Sequence, residues 1–149
     1  MVGSYILLSK LPGEKTISVG SLKAIRFARG YYAYVGSAMG GYKPRLNRHL
    51  KKDKKPHWHI DYLLQEASIT GIILCETERR VECAIARALE RRFGAVPGFG
   101  SSDCKCRSHL FFASKDVKRE ILAIAESLGL KPRPLQNLDR ETVLKKPGG

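Results

Sequence analysis

Negative charge is what this chain has least of. Fourteen Asp and Glu stand against 27 Lys and Arg, a formal net charge of +13 over 149 residues. Such an imbalance points to a polyanionic partner, most simply nucleic acid, with a membrane surface as the other candidate. Long apolar runs are missing too: no stretch approaches the roughly 20 residues that span a bilayer, so no membrane partner is expected. No signal-peptide pattern precedes Gly3, and the expected location is the cytoplasm. The four cysteines, Cys75, Cys83, Cys104 and Cys106, form nothing like a secreted disulfide framework. Internal repeats are absent, as are Walker-type and dinucleotide motifs. What remains is ordinary globular composition, 43% hydrophobic and 28% charged, at a length that suits one domain with one core.

The densest pattern lies in residues 30–49. Tyr31 to Val35 is aromatic and β-branched and reads as a strand. The strand is expected to break at Gly36 and again at Gly40-Gly41, where glycine tolerates positive φ. Pro44 suits the first turn of a following helix. That helix carries Arg45 and His49 on one face, because residues four apart are neighbours. A guanidinium beside a glycine turn and a helix start suits a phosphate. The alternative is a core strand followed by a solvated arginine.

Elsewhere the order of elements is readable. Tyr5–Leu8 is a buried strand, and Thr16–Gly20 with Lys23–Phe27 is a hairpin. Lys51-Lys52-Asp53-Lys54-Lys55 is either a solvated loop or a phosphate contact. Lys43, Arg48, Lys51, Lys52, Lys54 and Lys55 are the candidate nucleic-acid-binding residues. Ile60, Leu63, Leu64 and Ala67 fall at helical spacing over 58–67, opened by His57-Trp58-His59-Ile60-Asp61, a polar cluster with one aromatic. His57 and His59 are two apart and do not face each other, which argues against a metal pair. Ile69–Cys75 is a buried strand. Residues 79–93 form a helix with Val81, Ile85, Ala88, Leu89 and Arg92 inward. Glu82, with Ile85 and Leu89 three and seven residues on, lies at the edge of that buried face. A carboxylate there is costly unless it is paired or binds a metal.

Residues 94–107 read as a loop, Ser108–Ala113 as the last strand, and 115–128 as a helix capped by Ser114 and ended by Gly129. Cys75 and Cys83 read as small core residues. Cys104, Cys106 and His109 offer soft ligands for a possible structural Zn²⁺, with His57 or His59 completing four. The competing and favoured reading is a small-residue loop closing over a cleft, with Asp103 or Ser101 capping backbone groups. Domain limits are set at 1–130, followed by an extended, flexible C-terminal tail over 131–149. The expected fold is α+β: a small central antiparallel sheet of Tyr5–Leu8, Tyr31–Val35 and Ile69–Cys75, flanked by helices, with an inserted N-terminal hairpin.

Gly3-Ser4-Tyr5, Tyr34-Val35-Gly36-Ser37, Arg45-x-x-x-His49 and the helical Glu82, in that order, resemble the GIY-YIG nuclease superfamily. The resemblance covers residues 2–113. It is closest to an archaeal and bacterial branch, sometimes fused to DNA-repair glycosylases. That branch has the same inserted hairpin, a His-Trp-His-Ile-Asp segment and a Gly-Phe-Gly-Ser-Ser-Asp-Cys-x-Cys loop. Such membership implies metal-dependent cleavage of phosphodiester bonds, DNA more than RNA, in repair or processing. It implies paired tyrosines, Tyr5 as general base beside Tyr34. It also implies Arg45 on the scissile phosphate, His49 in proton transfer or orienting Tyr5, and Glu82 on a single Mg²⁺ or Mn²⁺. The sequence departs from the pattern in Ser4, where the motif has Ile, and in a long gap between the tyrosines. The alternative function is a non-catalytic nucleic-acid-binding module on the same fold.

Overall fold

In a computed structural model, described for residues 1–135 except 52 and 103, the chain is α+β. The elements are β1 (Gly3–Leu11), β2 (Lys15–Ser18), β3 (Ala24–Phe27), β4 (Gly30–Ala38), α1 (Tyr42–Leu50), α2 (His59–Leu64), β5 (Ser68–Glu76), α3 (Glu82–Glu90), β6 (Gly94–Ala95), β7 (Leu110–Ala113), α4 (Lys118–Ser127) and β8 (Arg133–Pro134). Six strands form one antiparallel sheet in the order β6-β7-β4-β1-β5-β8, and β2 and β3 pair separately as the inserted hairpin. No helix among the described residues is long and apolar enough to cross a membrane.

The central strand explains the N-terminal apolar run. β1 is hydrogen-bonded on both sides and covered on both faces, so all of its residues but Lys10 are buried. Side chains alternate between the two faces. Tyr5, Leu7, Leu11, Tyr32, Tyr34, Ile72 and Leu74 look toward α1, α2, Phe99 and the hairpin. Ile6, Leu8, Ala33, Val35, Ile73 and Cys75 look toward α3 and α4. The hairpin is held over α2 by Val19 and Phe27 in the first cluster and by a Lys15–Glu66 ion pair.

Several boundaries depart from expectation. β4 does not break at Gly36 but runs on to Ala38, and the left-handed turn comes at Gly41, with φ 114°. Gly36 is required for space instead: it faces Tyr5 across the β1–β4 ladder, and a Cβ there would lie 2.4 Å from Tyr5 Cζ and Oη. α3 begins at Glu82 rather than Arg79, and Arg92 is exposed rather than inward. α4 begins at Lys118, where Asp116 rather than Ser114 accepts the Lys118 N–H at 3.0 Å. Within the expected 94–107 loop, Gly94 and Ala95 pair with β7. Arg133–Pro134 pair with β5, and Leu135 N–H donates to Ile72 O at 2.9 Å, so this part of the expected tail joins the sheet. Residues 136–149 of that tail, with Lys52 and Asp103, lie outside the described residues.

Candidate nucleic-acid cleft and Cys3His cluster

β7 pairs with β4 only as far as Tyr34–Leu110, with one further bond from Val35 N–H to His109 O at 2.9 Å. Beyond that point the β4 edge is open. A cleft of about 290 Å³ lies along it, lined by Tyr34, Gly36, Ser37, Arg45, Trp58, His59 and Glu82 and by the Gly100–His109 loop. Because it sits at a sheet edge, it collects side chains from both layers. Arg45 and Trp58 come from the α1–α2 side, and Glu82 from the α3 side.

Trp58 organises the first wall. Arg45 and Arg48 guanidinium carbons lie 4.3 and 4.6 Å from its ring centroid. Such stacking contributes about 0.5–2 kcal/mol per contact and fixes each guanidinium plane. Arg48 is further held by Asp61, 2.6 Å from its Oδ2, which also accepts the His57 and Trp58 N–H groups at 2.8 and 2.9 Å. Asp61 is fully buried. Burial alone would raise its pKa, but the two N–H groups and Arg48 together hold it below the ordinary carboxylate value. Arg48, expected at the nucleic acid, therefore braces Trp58 and α2. Arg45 has no such carboxylate partner among the described ion pairs and opens into the cleft. Lys43, Lys51 and Lys55 are exposed near α1, while Lys54 folds back to Lys51 O at 2.6 Å.

Tyr5 and His49 stand behind the wall, both buried, with Tyr5 Oη 2.5 Å from His49 Nε2. Tyr34 lies beside them, 6.5 Å from Tyr5 and 6.1 Å from His49 between ring centroids, and reaches the cleft itself. Burial pushes the Tyr34 phenol up to about 12 and Tyr5 well above its ordinary value, against the opposing pull of Arg45. Burial likewise lowers His49 to about 3. At neutral pH all three rings are uncharged. His49 Nδ1 and Ser37 Oγ are buried without a hydrogen-bond partner.

Glu82 sits in the first turn of α3, and its Oε2 is likewise buried and unpartnered. An orphaned carboxylate oxygen beside an open cleft is the donor a hard divalent cation takes. The residues thus fit the cation expected at Glu82, with solvent supplying the remaining ligands.

The second cluster corrects the sequence reading. Cys83 is not a core residue. Its sulfur joins Cys104, Cys106 and His109, all four ligand atoms lying within 4.8 Å of one another, a group that could hold a metal ion. Neither His57 nor His59 completes it: His59 Nδ1 accepts the Gly100 N–H at 2.9 Å, and His57 is exposed. Cys83 was missed because its ligand role depends on the loop before β7 folding back onto the start of α3, a contact between segments about 20 residues apart. All four cysteines of the chain are free, and Cys75 is buried in the core as expected.

Fold and site together define an α+β protein with an aromatic-walled cleft at an open sheet edge, lined by one arginine and one glutamate. Residues 4–130 match the family described as Domain of unknown function DUF123, and the chain belongs to that family. No curated protein and no solved structure matches it.

Proposed function

We infer that the protein is a cytoplasmic, divalent-metal-dependent endonuclease of GIY-YIG type that cuts DNA phosphodiester bonds. One observation carries this reading: Arg45 and Glu82 line the same cleft beside Tyr34, and Glu82 holds a buried carboxylate oxygen without a hydrogen-bond partner at its margin. A pure binder has no use for an unpaired carboxylate that repels phosphate.

Arg45, its plane fixed on Trp58, binds the scissile phosphate and stabilises the charge that grows on it. Glu82 would hold a Mg²⁺ or Mn²⁺ ion, which when bound would stabilise the leaving oxygen. Phenols this far above neutrality are not ionised, so Tyr5 would serve as a relay: the attacking water gives its proton to Tyr5 Oη as Tyr5 passes its own to His49 Nε2. The phosphate anion bound at Arg45 favours that step by raising His49 above the value of about 3 that burial gives it. Tyr34, on the wall, positions that water. The charge of +13, with Lys43, Lys51 and Lys55 near α1, supplies sequence-independent affinity.

The burial of Tyr5 favours one rival, a nucleic-acid-binding module without hydrolysis, because the relay needs the water to reach a fully buried phenol. Cleavage of labelled duplex, branched and single-stranded DNA and of RNA with Mg²⁺ or Mn²⁺ separates the two. Arg45→Ala and Glu82→Gln each lower the cutting rate by about 10²–10³, while salt-sensitive binding survives in Glu82→Gln. Absence of cutting by wild type on every substrate, with tight binding, establishes the binding module instead.

A further inference from the structure

We propose that Cys83, Cys104, Cys106 and His109 bind one zinc ion, which clamps the loop before β7 onto the first turn of α3 and so builds one wall of the cleft. The geometry is close to that of the loaded site. Zinc bonds of about 2.3 Å to sulfur and 2.0–2.1 Å to nitrogen, at tetrahedral angles, set sulfur and nitrogen roughly 3.6 Å apart. Cys104 Sγ lies 3.5 Å and Cys83 Sγ 3.9 Å from His109 Nε2. All four ligand atoms lie within 4.8 Å of one another, against about 3.8 Å between two sulfurs on one zinc, so closing the set takes side-chain shifts of up to about 1 Å.

Donor chemistry selects the metal. Three thiolates and an imidazole suit zinc and are poor ligands for Mg²⁺ or Mn²⁺, which take hard oxygens. Glu82, one residue before Cys83, supplies the hard oxygen and stays outside the set. The two neighbouring sites therefore sort their metals by ligand type. Four protein ligands leave zinc no open position, which makes the ion structural.

The loop has need of such a clamp. Its base is tied by Gly98 N–H to Arg107 O at 2.8 Å and by His109 N–H to Phe99 O at 2.8 Å. Within residues 101–107, the backbone bond among described residues is Cys104 N–H to Ser101 O at 3.3 Å. Yet Gly100, Ser102 and Cys104 face Tyr34 and Arg45 across the cleft. A metal bonded to two loop cysteines, to Cys83 in the first turn of α3 and to the strand-entry histidine fixes what few hydrogen bonds hold. The proposal does not depend on whether the cleft cuts DNA.

The test uses the full chain, untagged, purified without chelator. About one zinc per chain is expected by elemental analysis. The stripped protein should take up Co²⁺ with the intense thiolate-to-metal absorption of a multi-thiolate site. Cys83→Ser and the Cys104→Ser, Cys106→Ser pair should each fall to under about a tenth of the wild-type zinc content, and His59→Ala should keep it. A chelator should lower the wild-type Tm and leave the double variant unmoved. The Co²⁺ spectrum of the wild type needs no variant to fold. Wild type that holds no zinc and gives no thiolate absorption with Co²⁺ overturns the proposal. So does a native disulfide among these cysteines, or zinc lost in His59→Ala and kept in Cys83→Ser.

Discussion

Replacing Gly36 with alanine should be among the most damaging single-methyl additions in this protein, and the reason is Tyr5 rather than the backbone. Gly36 lies in regular strand opposite Tyr5, and the added Cβ would fall 2.4 Å from Tyr5 Cζ and Oη and 2.9 Å from Cε1. Carbon atoms in contact rest at about 3.5–4.0 Å, so the overlap is about 1 Å. Tyr5 is fully buried and in contact with His49 at 2.5 Å, so the ring has nowhere to retreat without breaking that bond. Overpacking of this kind costs about 1–3 kcal/mol, and an overlap at two atoms of one ring argues for the upper part of that range. The entropy lost from the unfolded chain returns about 0.4–1 kcal/mol. The net expectation is a loss of about 2 kcal/mol, or a fall in Tm of about 5–10 °C for a domain of this size. Gly40, four residues on, is the control: a Cβ there meets nothing within 4 Å, so Gly40→Ala should be neutral or slightly stabilising. Denaturant unfolding of both variants measures the difference. Tyr5→Phe should not rescue Gly36→Ala, because Cζ remains; Tyr5→Leu should recover part of the loss as a non-additive term. Gly36→Ala and Gly40→Ala falling within about 0.5 kcal/mol of each other would refute the close-approach argument.

Asp61→Ala should cost about 3 kcal/mol, the low end for a buried pair, since it strands two backbone N–H groups and a guanidinium that is only partly buried. It should also change the fluorescence of Trp58, the chain's one tryptophan, by freeing Arg48 from its face; a stability loss under about 1 kcal/mol with unchanged emission would count against the bracing role. His49 is held neutral by burial, its pKa near 3 against an unfolded value of about 6.5. The unfolded chain binds more protons in that window, so stability is full above about pH 6.5 and lost as pH falls toward 3, at up to about 1.4 kcal/mol per unit. Asp61 adds to the loss only below about pH 4, where its depressed carboxylate begins to demand a proton that the unfolded chain takes more readily. Unfolding at pH 7.5 and 5 should therefore differ less in His49→Gln than in wild type, and equal differences would remove His49 from the account. Each lysine that touches phosphate, Lys51 or Lys55 first, should lower the salt slope of DNA binding by about 1 when changed to Ala; an unchanged slope places that lysine off the nucleic acid.

The fold was legible where burial is local. β1, β4 and β5 carry apolar runs because each is covered on both faces, and the hairpin alternates because one side faces water. The placing of Arg45, His49 and Glu82 on their helices was legible from spacing, and Glu82, like Asp61, has a buried carboxylate oxygen without a partner. What escaped depends on contacts that no spacing encodes. Gly36 looked like a turn because glycine commonly marks one, whereas the ladder register made it the floor under a tyrosine ring. Cys83 looked like core because it sits on an amphipathic helix, yet it occupies the first turn, at the edge where the loop returns. Arg48 and Arg45 are three apart on one helix, and nothing in their spacing tells which one a buried aspartate from α2 will claim.

That last choice shapes the cleft. Two arginines stack on one indole, and Asp61 neutralises only the inner one. The pairing orders Trp58, Trp58 orders Arg45, and Arg45 is left as the cation that faces the open edge of β4. Across that edge stands a carboxylate oxygen with no partner, and between them the hydrogen bonding of β4 on its β7 side ends at Val35. An early end to one strand pair is thus what lets groups from opposite layers of the sheet meet. Lengthening β7 so that it paired through Ser37 would draw residues 107–109, and with them the cleft-lining His109, into the sheet and close that edge.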